Sequence, residues 1–203
     1  MANPEASNAS RALGPAALLV AEVERLKRDL AESQAKIAEL EARADIDPLL
    51  DILNRRGFER ELARSLAYVK RYGTDAVLIY IDLDGFKAVN DRHGHAAGDT
   101  LLKAVAATLA SRVRASDVVA RLGGDEFAVL MWNVSAAHAA GKALDLEKTV
   151  GDTKAAHGKA QLSVGASAGI APLGPLDSTA QVLDAADRAM YARKTERHKA
   201  TRA

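Results

Sequence analysis

Acidic side chains stand at two places in the sequence where a buried strand is expected to end or turn. Asp82 and Asp84 follow the apolar run 76–81, and Asp125 and Glu126 lie between two further apolar runs. Carboxylates that converge repel one another unless a cation lies between them. A cluster of oxygen ligands favours Mg²⁺ or Mn²⁺ over zinc or copper. The alternative is that these acids are solvated turn residues, which is common for Asp at the end of a strand.

Two glycines precede the second acidic pair. Gly123 and Gly124 leave this turn without side chains, so that a phosphate or a sugar could approach its backbone. Spacing alone leaves both interpretations open, the metal-phosphate site and the solvated turn.

The elements that must position these acids follow a simple order. Apolar runs predict strands over 76–81, 118–122, 127–131 and 160–171, and apolar periodicity predicts helices over 99–114, 136–157 and 180–197. This order predicts an α+β fold of the ferredoxin-like βαββαβ type, an antiparallel sheet with helices on one face. The first strand is then central beside the hairpin strands, so the two acidic positions can converge. A further helix, capped by Asn54, is expected to run to about residue 72 before Gly73.

A heptad pattern precedes this fold. Its a and d positions are spaced alternately by four and three, at Leu19, Val23, Leu26, Leu30, Ser33, Ile37, Leu40 and Ala44. Opposite charges flank this seam, which favours a parallel two-chain coiled coil. The alternative is one amphipathic helix lying on its own domain, although a seam two residues wide is narrow for that role. We therefore expect a flexible tail over 1–15, a coiled-coil dimerisation helix over 16–45 and a globular domain over 46–203.

Composition limits the classes of function. The chain has 203 residues, of which 48% are hydrophobic and 27% charged, so it can form a core. A net charge of +1 gives no basic field for nucleic acid or an anionic membrane. The absence of cysteine excludes disulfides and thiolate chemistry, and suits a reducing cytosol. The uncharged stretch 12–21 is shorter than the roughly 20 residues that cross a bilayer, so we expect a cytoplasmic protein without membrane insertion.

The glycine turn resembles the signature of the GGDEF-domain diguanylate cyclase family, here read as Arg121-Leu122-Gly123-Gly124-Asp125-Glu126-Phe127. Other segments resemble the family's first strand, nucleotide-binding segment, last strand and last helix: Asp82-Leu83-Asp84-Gly85-Phe86-Lys87-Ala88-Val89-Asn90-Asp91, His93 to Asp99, Ser167 to Ala171 and Ala185 to Tyr191. The resemblance covers roughly 45–197. It implies a palm-type, nucleotide-cyclase-like catalytic domain that joins two GTP into cyclic di-GMP and releases two pyrophosphates.

The resemblance also implies residue roles. The implied ligands of two Mg²⁺ (or Mn²⁺) ions per active half-site are Asp82, the Leu83 carbonyl, Asp125 and Glu126. Glu126 either helps to deprotonate the ribose 3′-hydroxyl or completes the metal site, and the sequence leaves both open. The implied GTP-binding positions are Asn90 and Asp99 for guanine, and Gly85, Phe86, Lys87, Gly123, Gly124 and Lys194 around the phosphates. A carboxylate can accept from both N1–H and N2 of guanine, a pair of donors that adenine lacks.

The motif Arg114-Ala115-Ser116-Asp117 matches the family's inhibitory product site, in which Arg114 and Asp117 would bind cyclic di-GMP. The alternative is an ordinary helix end, where Arg interacts favourably with the dipole and Asp begins a turn.

Two segments depart from the family's pattern. The opening segment Asp47-Pro48-Leu49-Leu50-Asp51-Ile52-Leu53-Asn54-Arg55 lacks the usual Thr, Gly and Pro, from which we expect altered hinge packing and intact chemistry. Near the end, the family's glycine and following basic residue fall on Arg197 and His198. Arg197, His198 and Lys199 are therefore all candidates for helping Lys194 to hold phosphate.

The implied reaction needs two GTP-bearing domains facing each other, which gives the heptads a role in a homodimer. The tail, the heptads or a regulatory partner protein would supply the input. One alternative is a catalytically silent receptor for GTP or cyclic di-GMP, and another is a structural coiled-coil protein with an inert globular cap.

Overall fold

The computed structural model describes the backbone of residues 15–202 and the side chains of residues 19–34, 36, 44–197 and 199. The predicted flexible tail lies outside the described residues except for Pro15, which begins the first helix. The chain divides between Arg43 and Ala44 into two compact units.

The first unit contains helix α1, Pro15–Ala44, apart from its last residue. Seam positions Leu19, Val23, Leu26 and Leu30 are all exposed in the single chain, at 40–66% of their full accessibility. The side chains of Ile37 and Leu40 lie outside the described residues. The first half of the predicted seam is thus an uncovered apolar stripe.

The second unit holds all the remaining elements. Its helices are α2 (Arg55–Tyr72), α3 (Phe86–His93), α4 (His95–Ser111), α5 (Ala136–Asp152) and α6 (Thr179–Arg202). Its strands are β1 (Ala76–Asp84), β2 (Val118–Arg121), β3 (Glu126–Trp132), β4 (Ala155–His157), β5 (Ala160–Leu162) and β6 (Gly165–Pro172). The main sheet has the order β2-β3-β1-β6 and every neighbouring pair is antiparallel, while β4 and β5 form a separate hairpin. The predicted α+β class and the central place of β1 are confirmed.

Helices cover both faces of the main sheet, so the expectation of helices on one face is wrong. Alternate side chains of a strand point to opposite faces. Ile79 and Ile81 of β1 pack in one core with α4 and α5, whereas Leu78 and Tyr80 pack in a second core with α2 and α6. The crossover helices of the βαββαβ order share one face, and the helices before and after it bury the other.

Several element boundaries differ from the predicted ones. Strand β1 continues to Asp84, so Asp82 and Asp84 lie within it. A separate helix, α3, precedes α4 and was not predicted. The helix predicted over 136–157 ends at Asp152, and the strand predicted over 160–171 is split between β5 and β6. Good helix formers in β4 pair with β5 instead, because tertiary pairing outweighs local propensity.

Helix α2 begins and ends as its sequence predicts. The Asn54 side chain accepts from the backbone N–H of Gly57, which is an N-cap. Gly73 closes the helix with φ 66°, a left-handed conformation that glycine adopts without strain. The helix therefore stands at a fixed place over the second core.

Helix α6 lies directly on the backbone of β6. Gly169 makes this approach possible, since a Cβ there would collide with backbone atoms of Ala186 and Met190. The next turn of α6 carries Lys194, so the contact sets the distance of Lys194 from the sheet.

Within the part of the chain that the structure describes, no helix is both long enough and apolar enough to cross a membrane.

Candidate active site

The two acidic positions meet at one end of the main sheet. Asp82 of β1 lies directly opposite Glu126 of β3 in the antiparallel register. The backbone N–H of Leu83 donates to the carbonyl of Asp125 at 3.1 Å, which extends this pairing to the glycine turn. The predicted convergence of the two positions is confirmed.

Asp82 and Asp125 form an electrostatically unfavourable pair. Burial, together with the negative charge of Asp82, raises the pKa of Asp125 above its usual value. Lys194 of α6 offsets part of this repulsion, because its Nζ lies 2.5 Å from Asp82 Oδ1. Although partial burial opposes protonation of Lys194, its hydrogen bond to Asp82 and the negative charges around it raise the pKa of the ammonium group.

Glu126, opposite Asp82, makes contacts of its own. Its Oε2 fills the space that a Cβ on Gly123 would need, and it lies 4.0 Å from Nη2 of Arg55. No three acidic or histidine side chains among the described residues gather closely enough to hold a metal ion. Asp82, Asp125 and Glu126 thus do not form a three-carboxylate cluster in this part of the chain. The bare face of Gly123 accommodates Glu126, whereas a Cβ on Gly124 would meet no atom within 4 Å, so the space beside Gly124 is open.

Arg121 holds the glycine turn through hydrogen bonds to its backbone. Its guanidinium donates to the carbonyls of Gly123 at 2.9 Å and Gly124 at 2.7 Å. The same group pairs with the buried Asp47 at 3.2 Å, whose other oxygen caps the backbone N–H groups of the next turn. The opening segment that departs from the family's pattern is thus tied to the turn that carries Asp125.

The N-terminus of α3 follows β1 immediately. Gly85 is its N-cap with φ 84°, a conformation that strains most other residues. Its carbonyl accepts from Ala88 and Val89, one turn further on. The first backbone N–H groups of a helix have no partner within the helix and favour anions. The amides of Phe86 and Lys87 therefore suit a phosphate group, as the resemblance implies.

Asn90 and Asp99 flank the junction of α3 and α4. Asn90 Oδ1 is buried without a hydrogen-bond partner in the described part of the chain. It lies against Gly98, where a Cβ would collide with it, and the exposed Asp99 is the next residue. Since buried polar atoms are rarely left unpaired, this junction is a candidate for a polar ligand.

Asp84 is held by the side chains of Ser167 and Arg197. Ser167 Oγ donates to its carboxylate at 2.9 Å, and Arg197 Nε lies 3.7 Å from it. Arg197 also donates to Glu147 at 3.0 Å. Of the three candidates for a second phosphate-binding cation, Arg197 is therefore beside the site. Lys199 is exposed, and the His198 side chain lies outside the described residues.

In the Arg114–Asp117 turn, the carboxylate of Asp117 has a structural role. The Asp117 carboxylate accepts from the backbone N–H of Arg114 at 3.0 Å and of Trp132 at 3.3 Å. Arg114 itself is exposed at the surface. The carboxylate thus shapes the turn, and each of its oxygens retains a second lone pair for a ligand.

Sequence reasoning missed Tyr80, Arg55 and Glu147 as residues of the site region. The sequence pattern predicts that Tyr80 is part of an apolar strand and that Glu147 is an acid on the surface of a helix. The cross-strand register places Tyr80, and the packing of α5 on β6 places Glu147, so no local signal marks these two. Arg55 ends the opening motif segment and reaches the site from the start of α2.

The sequence of residues 44–200 matches the family described as diguanylate cyclase, GGDEF domain. The probable diguanylate cyclase DgcE of Escherichia coli (strain K12) is 40% identical over 168 residues, which are 82% of this chain and 15% of DgcE. The chain thus spans a small part of the length of that relative.

Solved structures of GGDEF-domain proteins are also similar to this chain. The coiled coil and GGDEF domain of DgcB from Caulobacter crescentus, in complex with c-di-GMP, is similar with a TM-score of 0.74 and 26% identity, covering 88% of this chain and 95% of that one. The diguanylate cyclase SiaD from Pseudomonas aeruginosa, in complex with its activator SiaC, gives a TM-score of 0.72 and 28% identity, covering 88% of this chain and 70% of SiaD. Together with the match over 44–200, this establishes that the chain belongs to the GGDEF-domain family of diguanylate cyclases.

Proposed function

We propose that this chain is a diguanylate cyclase, which condenses two GTP into cyclic di-GMP and releases two pyrophosphates. The observation that carries the proposal is the Asp82–Asp125 pair, with Lys194 bound to Asp82 and the N-terminus of α3 directly after β1. Two carboxylates, an ammonium group and the first backbone amides of a helix therefore lie at one end of the sheet. That is a set of groups suited to a metal-bound triphosphate.

Asp82, Asp125 and the Leu83 carbonyl are the proposed ligands of Mg²⁺ or Mn²⁺, with two ions per active half-site. The fit rests on chemistry visible in the protein, because a divalent cation would relieve the repulsion by Asp82 that, together with burial, raises the pKa of Asp125. Such an ion, when bound, neutralises negative charge on the phosphates during phosphoryl transfer. Mg²⁺ commonly uses one or two protein carboxylates and completes its shell with phosphate and water.

The protein groups around the pair would bind and orient GTP. The amides of Gly85, Phe86 and Lys87 and the ammonium group of Lys194 are the proposed phosphate donors. Asn90 and Asp99 are the proposed guanine-reading residues, and the unpaired buried Oδ1 of Asn90 supports a ligand at this junction. The open Gly124 leaves room for substrate next to Asp125.

Glu126 is the proposed catalytic residue that accepts the proton of the attacking ribose 3′-hydroxyl. Its oxygen lies against Gly123 and near Arg55, and no three-carboxylate cluster forms among the described residues, which favours this role over that of a metal ligand. A carboxylate that is not engaged by the cation remains basic enough to take part in proton transfer.

The reaction needs two such half-sites, each with one GTP, so we propose a homodimer. The exposed stripe of Leu19, Val23, Leu26 and Leu30 supports pairing through α1. The DgcB structure that resembles this chain also contains a coiled coil. The proposed organisation is a coiled-coil helix over 16–45 and a catalytic domain over 46–203. SiaD, another similar protein, binds an activator protein, which makes a regulatory partner a reasonable source of input.

Arg114 and Asp117 are proposed to form a product-inhibition site for cyclic di-GMP. The exposed Arg114 can bind phosphate and stack on a base, while Asp117 holds the turn in shape. Arg114 is thus the better position for a test, because its replacement leaves both hydrogen bonds of Asp117 in place.

One assay tests the catalytic and inhibitory assignments together. Pyrophosphate release from GTP with Mg²⁺ is followed in the wild type, Glu126→Gln, Arg114→Ala and the control Asp145→Asn, an exposed acid of α5. We expect Glu126→Gln to abolish turnover, and Arg114→Ala to keep the initial rate and lose the slowing that follows product accumulation. Asp145→Asn should behave as wild type. Full turnover in Glu126→Gln would contradict the catalytic assignment, and unchanged slowing in Arg114→Ala would contradict the inhibitory one.

A further inference from the structure

The carboxylate of Glu126 is enclosed on several sides by groups that hold it in place. Gly123 supplies a bare α-carbon against Oε2, and Arg55 supplies a cation 4.0 Å away. Burial and the nearby negative charge of this carboxylate raise the pKa of the Tyr80 phenol. These groups come from the glycine turn, from α2 and from β1, so three separate parts of the fold converge on one side chain.

The sheet register explains how Tyr80 reaches Glu126. Tyr80 lies two residues before Asp82 on β1, and Asp82 lies directly opposite Glu126. Tyr80 and Glu126 are therefore diagonal neighbours on one face of the sheet, within reach of a long side chain. The ring is buried, with only 4% of its surface exposed.

Packing in the core does not require the hydroxyl of Tyr80. The same core contains Leu78, Ala128 and Leu130, against which a phenylalanine ring would pack equally well. A buried hydroxyl is costly unless it is hydrogen-bonded, so its partner matters. A tyrosine phenol carries its proton at neutral pH and can donate to a carboxylate. A cavity of about 140 Å³, lined by Arg55, Tyr80 and residues of α6, adjoins this contact.

Arg55 is itself fixed. Its Nε donates to the carbonyl of Leu122 at 2.9 Å, and its Nη1 lies 3.6 Å from Glu59, one helical turn further along α2. The guanidinium thus bridges the residue before the glycine turn and the acid after it. Any shift of Glu126 would have to move a side chain that is tied at two other points.

From the register, the burial of Tyr80 and the position of Arg55, we infer that the Tyr80 hydroxyl donates to the Glu126 carboxylate. Tyr80 and Arg55 are then positioning residues, which hold this carboxylate in place for its reaction with the nucleotide and act through it, not on the metal ligands. The inference rests on the proposed cyclase function. A displacement of about 1 Å in a reacting group is enough to slow catalysis strongly.

The direct test is Tyr80→Phe, which removes one oxygen and keeps the packing. We expect kcat to fall about tenfold, the loss typical of a hydrogen bond to a charged group. The KM for GTP and the Mg²⁺ concentration at half-saturation should not change. Tyr72→Phe is the matched control, since it removes a hydroxyl from an exposed tyrosine at the end of α2, and it should keep the wild-type rate.

A second measurement is independent of activity. In metal-free protein, Tyr80→Phe should lower the melting temperature of the wild type but not that of Glu126→Ala, since the phenol then has no carboxylate to bind. Equal losses in both backgrounds would overturn the inference, as would an unchanged kcat or a raised Mg²⁺ requirement in Tyr80→Phe. If the wild type turns over GTP and Tyr80→Phe matches it, only this inference fails. If the wild type does not turn over GTP, the proposed function itself fails.

Discussion

At the residue scale, the site keeps a pair of groups that weakens the metal-free fold. Asp82 and Asp125 face each other at the end of the sheet, and Lys194 compensates only one of them directly. Groups that repel in the free protein are common where a cation or substrate is later bound. The raised pKa of Asp125 is thus a measurable consequence of the proposed metal site.

Asp125→Asn should stabilise the metal-free protein near neutral pH. A carboxyl whose pKa is raised on folding binds its proton more tightly in the folded state, so its contribution to stability is present at low pH and is lost as pH rises through the folded pKa. Asparagine has no charge to lose. The melting temperature of Asp125→Asn should therefore exceed that of the wild type at neutral pH, and the gain should shrink as pH falls toward about 4, near the ordinary pKa of aspartate.

The measurement is thermal unfolding with divalent ions removed, at several pH values. Asp145→Asn, an exposed acid on α5, serves as the control and should show no such trend. A lower melting temperature for Asp125→Asn than for wild type at neutral pH would contradict the unfavourable pair.

At the element scale, the position of α6 depends on one buried carboxylate. Glu147 of α5 is 4% exposed and accepts from the backbone N–H of Ala168 at 2.9 Å, on the outer edge of β6. It also binds Arg193 at 2.9 Å and Arg197 at 3.0 Å, the residues that flank Lys194 on α6. Despite its burial, these partners lower the pKa of Glu147. One side chain thus joins a helix on each face to the edge of the sheet between them.

Glu147→Ala should lower the free energy of unfolding by about 2 kcal/mol, because it leaves the Ala168 N–H and two arginines without this partner. Urea unfolding measures the loss. Glu196→Ala is the matched control, since Glu196 is an exposed acid on α6 that lies 4.0 Å from Arg193, and its midpoint should stay at the wild-type value. An equally stable Glu147→Ala would show that α6 does not depend on this carboxylate.

Some of the helices and strands can be predicted from the sequence alone, and others cannot. Its apolar runs place β1, the hairpin and the crossover helices, because those residues carry strong periodicity and form the cores. The pairing of β4 with β5 and the short α3 depend on tertiary contacts, and the run around Ala155 favours a helix locally. In the site, the sequence predicts the motif positions. The contacts of Glu126 with Gly123 and Arg55 depend on side-chain directions that no spacing encodes.

At the scale of the whole molecule, the proposed reaction needs two copies of the chain. One GTP supplies the 3′-hydroxyl and the other the α-phosphate, so a single half-site is incomplete. Pairing through α1 would raise the effective concentration of the second domain. Such pairing would bury the exposed apolar positions of α1.

Leu26→Asp combined with Leu40→Asp should lower specific activity, most strongly at low protein concentration. Charges at two d positions weaken a coiled coil, and dilution then separates the half-sites. The control is Ala21→Asp combined with Ala31→Asp, which adds two acids to α1 outside the predicted seam. Specific activity is measured over a range of chain concentrations. Equal activity per chain at every concentration in the seam variant would contradict pairing through α1.

The most direct test of the central claim is the product formed by the purified chain from GTP with Mg²⁺, separated by chromatography and identified by mass. The Asp82–Asp125 site predicts cyclic di-GMP and pyrophosphate in a ratio of one to two, with neither formed when a chelator removes the divalent ion. Binding of GTP without formation of a cyclic dinucleotide, or turnover that continues in the chelator, would contradict the account.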